Sequence, residues 1–321
     1  MTAPASGRTA LVTGAGGFVG GWLLRALADA GWEVTAASAG GKPDGAADVP
    51  GVRWLAGDVR DPDHLRAALD AARPDAVFHL AGVSFVPAAA ADPGYAAEVN
   101  VVAAARLLGL VAERQRAGTL DPVVLVVGSG EQYGRHDEAD LPLVETCEQR
   151  PHTLYAATKV AQEAFALQTW RSAGVRVLAA RSFNHSGPGQ DFRFLLPGLV
   201  GRALALRDAP PGSPLVMGNQ TTVRDFSHVA DVVAAYIALA ERGRAGEVYN
   251  VASGVGHSVG DLARRVLARC GVDAPVESDP ALVRPAEVPA LVGSAAKLAA
   301  DTGWAPRRTL DDLIDDLIAA A

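Results

Sequence analysis

The chain has 321 residues, of which 49% are hydrophobic and 20% charged, and its formal net charge is -7. This share of apolar side chains is enough for a packed core and excludes global disorder. The acidic balance argues against a broad nucleic-acid-binding surface, which would need clustered lysine and arginine.

Cysteine usage and the N-terminal segment bear on the compartment. Cys147 and Cys270 are too few for a disulfide framework, and neither has a metal-ligand partner at the usual spacing. The first residues lack a charged region followed by an apolar stretch and a cleavage site. No apolar run approaches the roughly 20 residues that cross a bilayer. We therefore expect a cytoplasmic protein with no membrane or nucleic-acid partner.

Short β-branched runs alternate with helical-period segments from residue 8 to about residue 182, which is typical of a parallel sheet with crossover helices. The predicted strands are Thr9–Thr13, Glu33–Ala37, Arg53–Ala56, Ala76–Leu80, Val123–Val127 and Val175–Ala180. The predicted helices are Gly17–Ala30, Pro62–Ala72, Pro93–Arg116 and His152–Ala173. The second half is richer in glycine and proline, and its predicted elements are helices at Leu195–Leu206, His228–Glu241, Val259–Cys270 and Thr309–Ala320, and a strand at Glu247–Val251.

The segment ALVTGAGGFVGGWLLRALADAG predicts a strand, a glycine turn and a helix, with Gly14, Gly17 and Gly20 spaced G-x-x-G-x-x-G. Such a turn brings the backbone and a helix N-terminus close to a pyrophosphate. The triplet alone also fits an ordinary strand-helix turn, but its place in the first βαβ unit favours a dinucleotide site. We therefore predict an α/β fold with a Rossmann-type, doubly wound parallel sheet in residues 1–182. A smaller, mostly helical C-terminal lobe follows in residues 183–321, and segments of the two can interleave.

The end of the second strand bears on cofactor choice. An acid that accepts the ribose 2′-hydroxyl of NAD is expected there, and the chain has TAASAGGK instead. Ser38 and Lys42 suit a 2′-phosphate, which favours NADP over NAD, although Lys42 also fits a solvated loop cation. Asp58 is placed to meet adenine, or to cap the turn that follows.

Tyr155 and Lys159 are four residues apart on a predicted helix and share one face. An ammonium group beside a phenol would lower the pKa of Tyr155 and make it a general acid or base. The spacing alone also fits an exposed helix face, but the pair follows the fifth strand of the sheet. That strand ends at Ser129, which can hydrogen-bond a substrate oxygen, and at Glu131, which is either a general base for a carbon-bound proton or a surface carboxylate.

Together, the glycine turn, the Ser129 loop and Tyr155-x-x-x-Lys159 resemble the extended short-chain dehydrogenases/reductases that modify nucleotide sugars. The resemblance implies that Lys159 holds the nicotinamide ribose, that Tyr155 exchanges a proton with a sugar oxygen, and that hydride moves between sugar and nicotinamide. Asn100 matches a recurring helix asparagine, and the family often forms homodimers through the helices at Pro93–Arg116 and His152–Ala173. The full set of candidate cofactor contacts is Gly14, Gly17, Phe18, Val19, Gly20, Ser38, Lys42, Asp58, Val59, Leu80, Ala81, Gly82, Tyr155 and Lys159.

The second half is similar to the branch that contains GDP-mannose 4,6-dehydratase and GDP-4-keto-6-deoxy-D-mannose reductase. The resemblance implies that Ser84, Asn184, Arg224 and Arg284 contact substrate, the arginines through a diphosphate, although inter-lobe salt bridges also fit them. His185 fits a structural role.

The motif FNHSGPGQ favours the reductase, whereas Glu131 is also the residue expected of a dehydratase. Gly130 stands where a second hydroxyl residue is common, and Leu282 replaces a basic residue, which leaves dTDP- or UDP-sugars open. A dehydratase or epimerase that recycles its cofactor, and a non-catalytic dinucleotide sensor, are the alternatives to a GDP-sugar ketone reductase.

Overall fold

The computed structural model describes residues 7–46, 48–283 and 288–321. The strands are β1 (Thr9–Thr13), β2 (Glu33–Ser38), β3 (Val52–Ala56), β4 (Ala76–His79), β5 (Val123–Ser129), β6 (Val177–Ser182), β7 (Asn184–Ser186), β8 (Leu215–Met217), β9 (Val223–His228), β10 (Val248–Val251), β11 (Gly256–Ser258), β12 (Val276–Ser278) and β13 (Ala290–Leu291). The α-helices are α1 (Phe18–Asp29), α2 (Pro62–Ala72), α3 (Val86–Ala91), α4 (Pro93–Ala97), α5 (Ala103–Arg116), α6 (Leu154–Ala173), α7 (Leu195–Ala205), α8 (Val229–Arg242), α9 (Val259–Cys270), α10 (Ala296–Thr302) and α11 (Leu310–Ala319).

The main sheet has seven parallel strands in the order β3-β2-β1-β4-β5-β6-β10. Helices α1 and α8 cover one face and α2 and α5 cover the other. Because both faces are covered, β6 is buried at every position, and its first four residues form a continuous apolar run. The predicted Rossmann-type fold is therefore confirmed.

Several predicted boundaries differ from the structure. Strand β5 runs on to Ser129, and β6 begins at Val177 rather than Val175. The predicted helix Pro93–Arg116 is divided into α4, a π-helical turn at Glu98–Val102, and α5. Strand β10 pairs with β6, so the chain returns to the main sheet after residue 183.

The smaller lobe contains α7, α9 and α11, which share one apolar cluster. It also contains short strands that the sequence analysis missed, including β8 paired with β12, and β9 paired with β7, β11 and β13. The side chains of Ser258 and Thr309 accept from the backbone N–H groups of Asp261 and Asp312, respectively. Both residues are therefore N-caps.

Contrary to the expectation from the sequence, one helical stretch of the described residues, Pro93–Arg116, is long and apolar enough to cross a membrane by length and composition alone. In the structure, 56% of its most apolar window is buried inside the protein. Its α5 portion packs on the sheet through Leu107, Leu108 and Val111. The stretch is therefore a core helix of this fold.

Candidate active site

The glycine turn joins β1 to α1, and its backbone has no room for side chains. Gly14 has φ +70°, and a Cβ there would lie 2.6 Å from the backbone nitrogen of Ala81. A Cβ on Gly20 would lie 2.5 Å from the carbonyl oxygen of Ala15. In the described part of the chain, no side chain caps the start of α1. The turn therefore forms a tight cradle with backbone N–H groups free at the start of α1, which fits a dinucleotide pyrophosphate.

A cleft of about 1560 Å³ lies between the main sheet and the smaller lobe. It brings together candidate residues from the glycine turn, the loop after β4, the end of β5, α6, β7 and β9. Those that line it are Gly14, Gly17, Phe18, Val19, Gly20, Leu80, Ala81, Gly82, Ser84, Ser129, Glu131, Tyr155, Lys159, Asn184 and Arg224. Its position at the carboxyl ends of the parallel strands is where ligands bind in open α/β sheets.

Tyr155 and Ser129 form the polar centre of this cleft. The Tyr155 side chain is buried, and its hydroxyl is hydrogen-bonded to Ser129. Burial raises the pKa of Tyr155 to about 12, the charge of Glu131 also raises it, and the Ser129 hydrogen bond opposes both. Tyr155 is thus protonated at neutral pH and can donate a proton.

Lys159 lies one helical turn beyond Tyr155, and its ammonium group donates to the carbonyl oxygen of Val127 (2.8 Å) and to Gln162 Oε1 (3.0 Å). Burial lowers the pKa of Lys159 to about 8. The expectation that Lys159 lowers the pKa of Tyr155 is wrong for this geometry. Burial of the phenol outweighs any effect of the ammonium group, whose hydrogen bonds go to Val127 and Gln162 instead.

The π-helical turn after α4 positions the loop that follows β4. It carries Asn100, which is fully buried and accepts from the Val83 backbone N–H at 2.7 Å. The Asn100 amide also donates to Thr158 Oγ1 at 2.9 Å, one residue before Lys159. A Cβ on Gly82 would lie 3.1 Å from Asn100 Oδ1 and 3.3 Å from Lys159 Nζ. Asn100 therefore joins the loop after β4 to α6.

The residues predicted to contact the adenosine end of the cofactor make contacts within the protein. Ser38 lies against the glycine turn, since a Cβ on Gly16 would be 2.6 Å from its hydroxyl oxygen. Lys42 forms an ion pair with Asp48 on the same loop. These contacts leave the 2′-phosphate role of both residues a prediction.

Asp58, with Val59 next to it, follows β3. Arg60 contacts both carboxylate oxygens of Asp58 and donates its backbone N–H to one of them at 2.8 Å. This arrangement holds the pKa of Asp58 below its usual range and is the turn-capping alternative. The adenine role of Asp58 and Val59 stays a prediction.

On the substrate side, Asn184 and Arg224 lie on the paired strands β7 and β9, which line the cleft. Arg284 lies outside the described residues. Leu282 lines the cleft and is 53% exposed. His185 Nδ1 bonds the Phe183 carbonyl oxygen at 2.9 Å, in keeping with a structural role.

Sequence reasoning missed an aromatic contact across the mouth of the cleft. Phe85, from the loop after β4, meets Phe194 edge-on at 5.7 Å, and the Arg193 guanidinium lies over the Phe85 ring at 5.0 Å. Arg202 also lines the cleft and donates to the Val216 carbonyl oxygen at 2.7 Å. No spacing rule connects residues this far apart in sequence, so only the folded chain reveals these contacts.

The sheet order, the glycine cradle and the Ser129, Tyr155 and Lys159 group define an extended short-chain dehydrogenase/reductase. Within that class, the family model described as GDP-mannose 4,6 dehydratase matches residues 11–317. The chain belongs to this family, as the motifs of the sequence had suggested.

Named relatives cover most of the chain. The GDP-6-deoxy-D-mannose reductase of Pseudomonas aeruginosa is 37% identical over 253 residues, which are 79% of this chain and 82% of that protein. The dTDP-glucose 4,6-dehydratase of Streptomyces griseus is 32% identical over 273 residues, 82% of this chain and 79% of that protein.

Solved structures agree with the fold along nearly the whole chain. The structure of RMD from Pseudomonas aeruginosa complexed with NADPH has a TM-score of 0.83 and 32% identity, and covers 97% of this chain and 98% of that one. The UDP-glucose 4-epimerase of Thermus thermophilus in complex with NAD has a TM-score of 0.84 and 27% identity, with the same coverage.

Proposed function

We propose that this protein is an NAD(P)H-dependent reductase of a GDP-linked 4-keto-6-deoxy sugar. The substrate is GDP-4-keto-6-deoxymannose, and reduction of its C4 ketone gives a GDP-6-deoxyhexose such as GDP-rhamnose. The observation that carries this proposal is the protonated Tyr155 phenol, hydrogen-bonded to Ser129 in the cleft that the glycine turn opens into. A phenol in that state suits ketone reduction, which consumes a proton.

The glycine cradle, the uncapped start of α1 and the loop at Gly82 would hold the dinucleotide, which supplies hydride when bound. Tyr155 donates its proton to the ketone oxygen as negative charge develops there, and Ser129 steadies that oxygen. Lys159 holds the ribose, and its hydrogen bonds to Val127 and Gln162 fix the position of its ammonium group. Burial of all three side chains strengthens these interactions.

NADPH is the favoured reductant, because the loop after β2 offers Ser38 and Lys42 where an NAD site needs an acid. The ion pair of Lys42 with Asp48 must open to admit a 2′-phosphate. The kcat/KM ratio for NADPH over NADH tests this choice, with Lys42→Ala as the variant. We expect the variant to lower the ratio by about tenfold, the scale of one charge-assisted contact. An unchanged ratio would leave Lys42 without a role in cofactor choice.

A GDP-mannose 4,6-dehydratase is the second candidate. It is favoured by Glu131, which lines the same cleft and acts electrostatically on Tyr155. A dehydratase returns its cofactor to the starting redox state, whereas a reductase consumes it. An epimerase shares this internal recycling.

One assay separates these activities. Purified protein is mixed with GDP-4-keto-6-deoxymannose and NADPH, and with GDP-mannose and NADP in a parallel reaction. The reductase proposal predicts one NADPH oxidised for each ketone consumed in the first mixture. Loss of GDP-mannose in the second mixture with no net cofactor change would instead establish the dehydratase.

We further infer a homodimer. Helices α4 to α6 and the π-helical turn expose five large apolar side chains. These are Tyr95, Val102, Leu154, Phe165 and Trp170. Burying this surface against a second copy would remove it from water. Light scattering on the protein as it elutes from a size-exclusion column tests the oligomeric state, and a Phe165→Glu variant should shift the protein to the monomer.

Cys147 and Cys270 are free thiols, which supports a cytoplasmic location.

A further inference from the structure

A set of buried hydrogen bonds connects Ser129 to the protein interior. The Ser129 backbone N–H donates to Gln132 Oε1 at 2.8 Å, and Gln132 Nε2 donates to Glu163 Oε2 at 2.9 Å. Gln132 is fully buried, and a Cβ on Gly128 would lie 2.3 Å from its Oε1. Reversing the Gln132 amide would place its NH₂ group against the Ser129 N–H and its oxygen against a carboxylate. The carboxylate of Glu163 therefore fixes which end of the amide meets Ser129.

Glu163 is itself held rigidly. Arg181 donates to both of its oxygens, from Nε to Oε2 at 2.9 Å and from Nη2 to Oε1 at 2.7 Å. Gln149 donates to Oε1 at 2.6 Å. The Glu163 and Arg181 side chains are each only 6% exposed, so this fork-like pair is held in a dry environment.

The pair joins α6, which carries Tyr155 and Lys159, to β6, the neighbour of the strand that ends at Ser129. Glu163 lies on α6, four residues after Lys159 and eight after Tyr155, on the same helix face. Arg181 lies on β6, where it pairs with Gly128, the residue before Ser129 on β5. The Glu163–Arg181 contact thus lies between the helix that carries Tyr155 and the strand that pairs with the end of β5.

We propose that Glu163, locked by Arg181, is a positioning residue that acts through Gln132 to hold Ser129 in register with Tyr155. The inference rests on the proposed function, since it assigns Ser129 a part in the reaction. Glu163 touches neither substrate nor cofactor, so its loss affects turnover through Ser129. Small displacements of reacting groups have large kinetic effects, and about 1 Å can cost 100-fold in rate.

A double-mutant cycle tests the proposal, with Glu163→Gln made in the wild-type and in the Ser129→Ala backgrounds. The glutamine must turn its NH₂ group toward another donor, either Gln132 or the Arg181–Gln149 side. In the wild-type background we expect kcat to fall about tenfold, while KM for the sugar changes less than about threefold. In the Ser129→Ala background the same change should alter kcat by less than about twofold, because the group it positions is gone.

The matched control is Gln149→Met, which removes another donor to Glu163 that has no contact with Ser129. It should keep kcat within about twofold, because Arg181 still holds the carboxylate. If Glu163→Gln does not fold, Gln132→Met takes its place, since it leaves the Glu163–Arg181 pair intact. It should give the same loss in the wild type and the same small effect in Ser129→Ala.

Failure of the positioning role and failure of the proposed function give different results. Equal losses of kcat in both backgrounds would overturn the positioning role, because the effect would then bypass Ser129. A Ser129→Ala variant with undiminished kcat would instead overturn the part that the proposed function gives to Ser129.

Discussion

Substituting the buried Lys159 should abolish activity and change the stability of the protein in a way that depends on pH. Lys159 is 5% exposed, and burial lowers its pKa from 10.5 to about 8. A difference of about 2.5 pKa units corresponds to roughly 3 kcal/mol that the folded state loses by keeping the ammonium buried. A Lys159→Met variant of similar length removes that cost.

The hydrogen bonds that Lys159 donates offset this gain. They come from a charged group, so loss of the contacts with Val127 and Gln162 costs about 1.5–3 kcal/mol each. We therefore expect Lys159→Met to unfold with a free energy about 0–3 kcal/mol lower than the wild type at pH 7, with turnover lost. Chemical denaturation of both proteins at several pH values is the assay.

The pH dependence of this difference is a stricter test. Below pH 8 both the folded and the unfolded wild type carry the charged lysine, so the full cost is present. Between about pH 8 and 10.5 the folded protein releases the proton first, and wild-type stability rises relative to Lys159→Met. The control Lys42→Met, at an ion-paired surface lysine, should stay within about 0.5 kcal/mol throughout. A stability gap between the two proteins that stays unchanged up to pH 10 would refute the reasoning.

Two further substitutions, with one control, probe the cradle and the loop beside it. Gly14→Ala should lower the free energy of unfolding by about 1–3 kcal/mol and weaken NADPH binding in a fluorescence titration, because φ is positive and Ala81 is in the way. Gly21→Ala, on the open side of α1, should be stabilising by about 0.5–1 kcal/mol, and equal losses in both would contradict this account. Asn100→Leu should free the loop at Val83 and lower kcat/KM by about tenfold or more in steady-state assays, and unchanged kinetics would remove its positioning role.

The sheet and the cleft were predictable because their signals are local. The glycine turn, the buried apolar strands and the Tyr155 and Lys159 spacing each occupy one short segment. Parallel strands then bring their carboxyl ends to one edge, so Ser129 and Tyr155 were expected together. The return of β10 to the main sheet was harder to predict from the sequence, since pairing between distant strands leaves no periodic signal.

The electrostatics of the site was the part that sequence reasoning misjudged. Helical spacing places Lys159 near Tyr155, but it does not show that both side chains are buried or that the ammonium group binds Val127 and Gln162. Burial controls the pKa of the phenol, and burial is a property of the whole fold. The network behind Ser129 was invisible for the same reason, because Glu163 and Arg181 meet only through the packing of α6 on β6.

The most direct test of the account is the turnover of Tyr155→Phe with GDP-4-keto-6-deoxymannose and NADPH, compared with wild type. The variant keeps the ring and loses only the proton donor. We predict a fall in kcat of at least about 100-fold, with NADPH affinity and thermal stability close to wild type. Near-normal turnover by a folded Tyr155→Phe protein would contradict the assignment of Tyr155 as the acid.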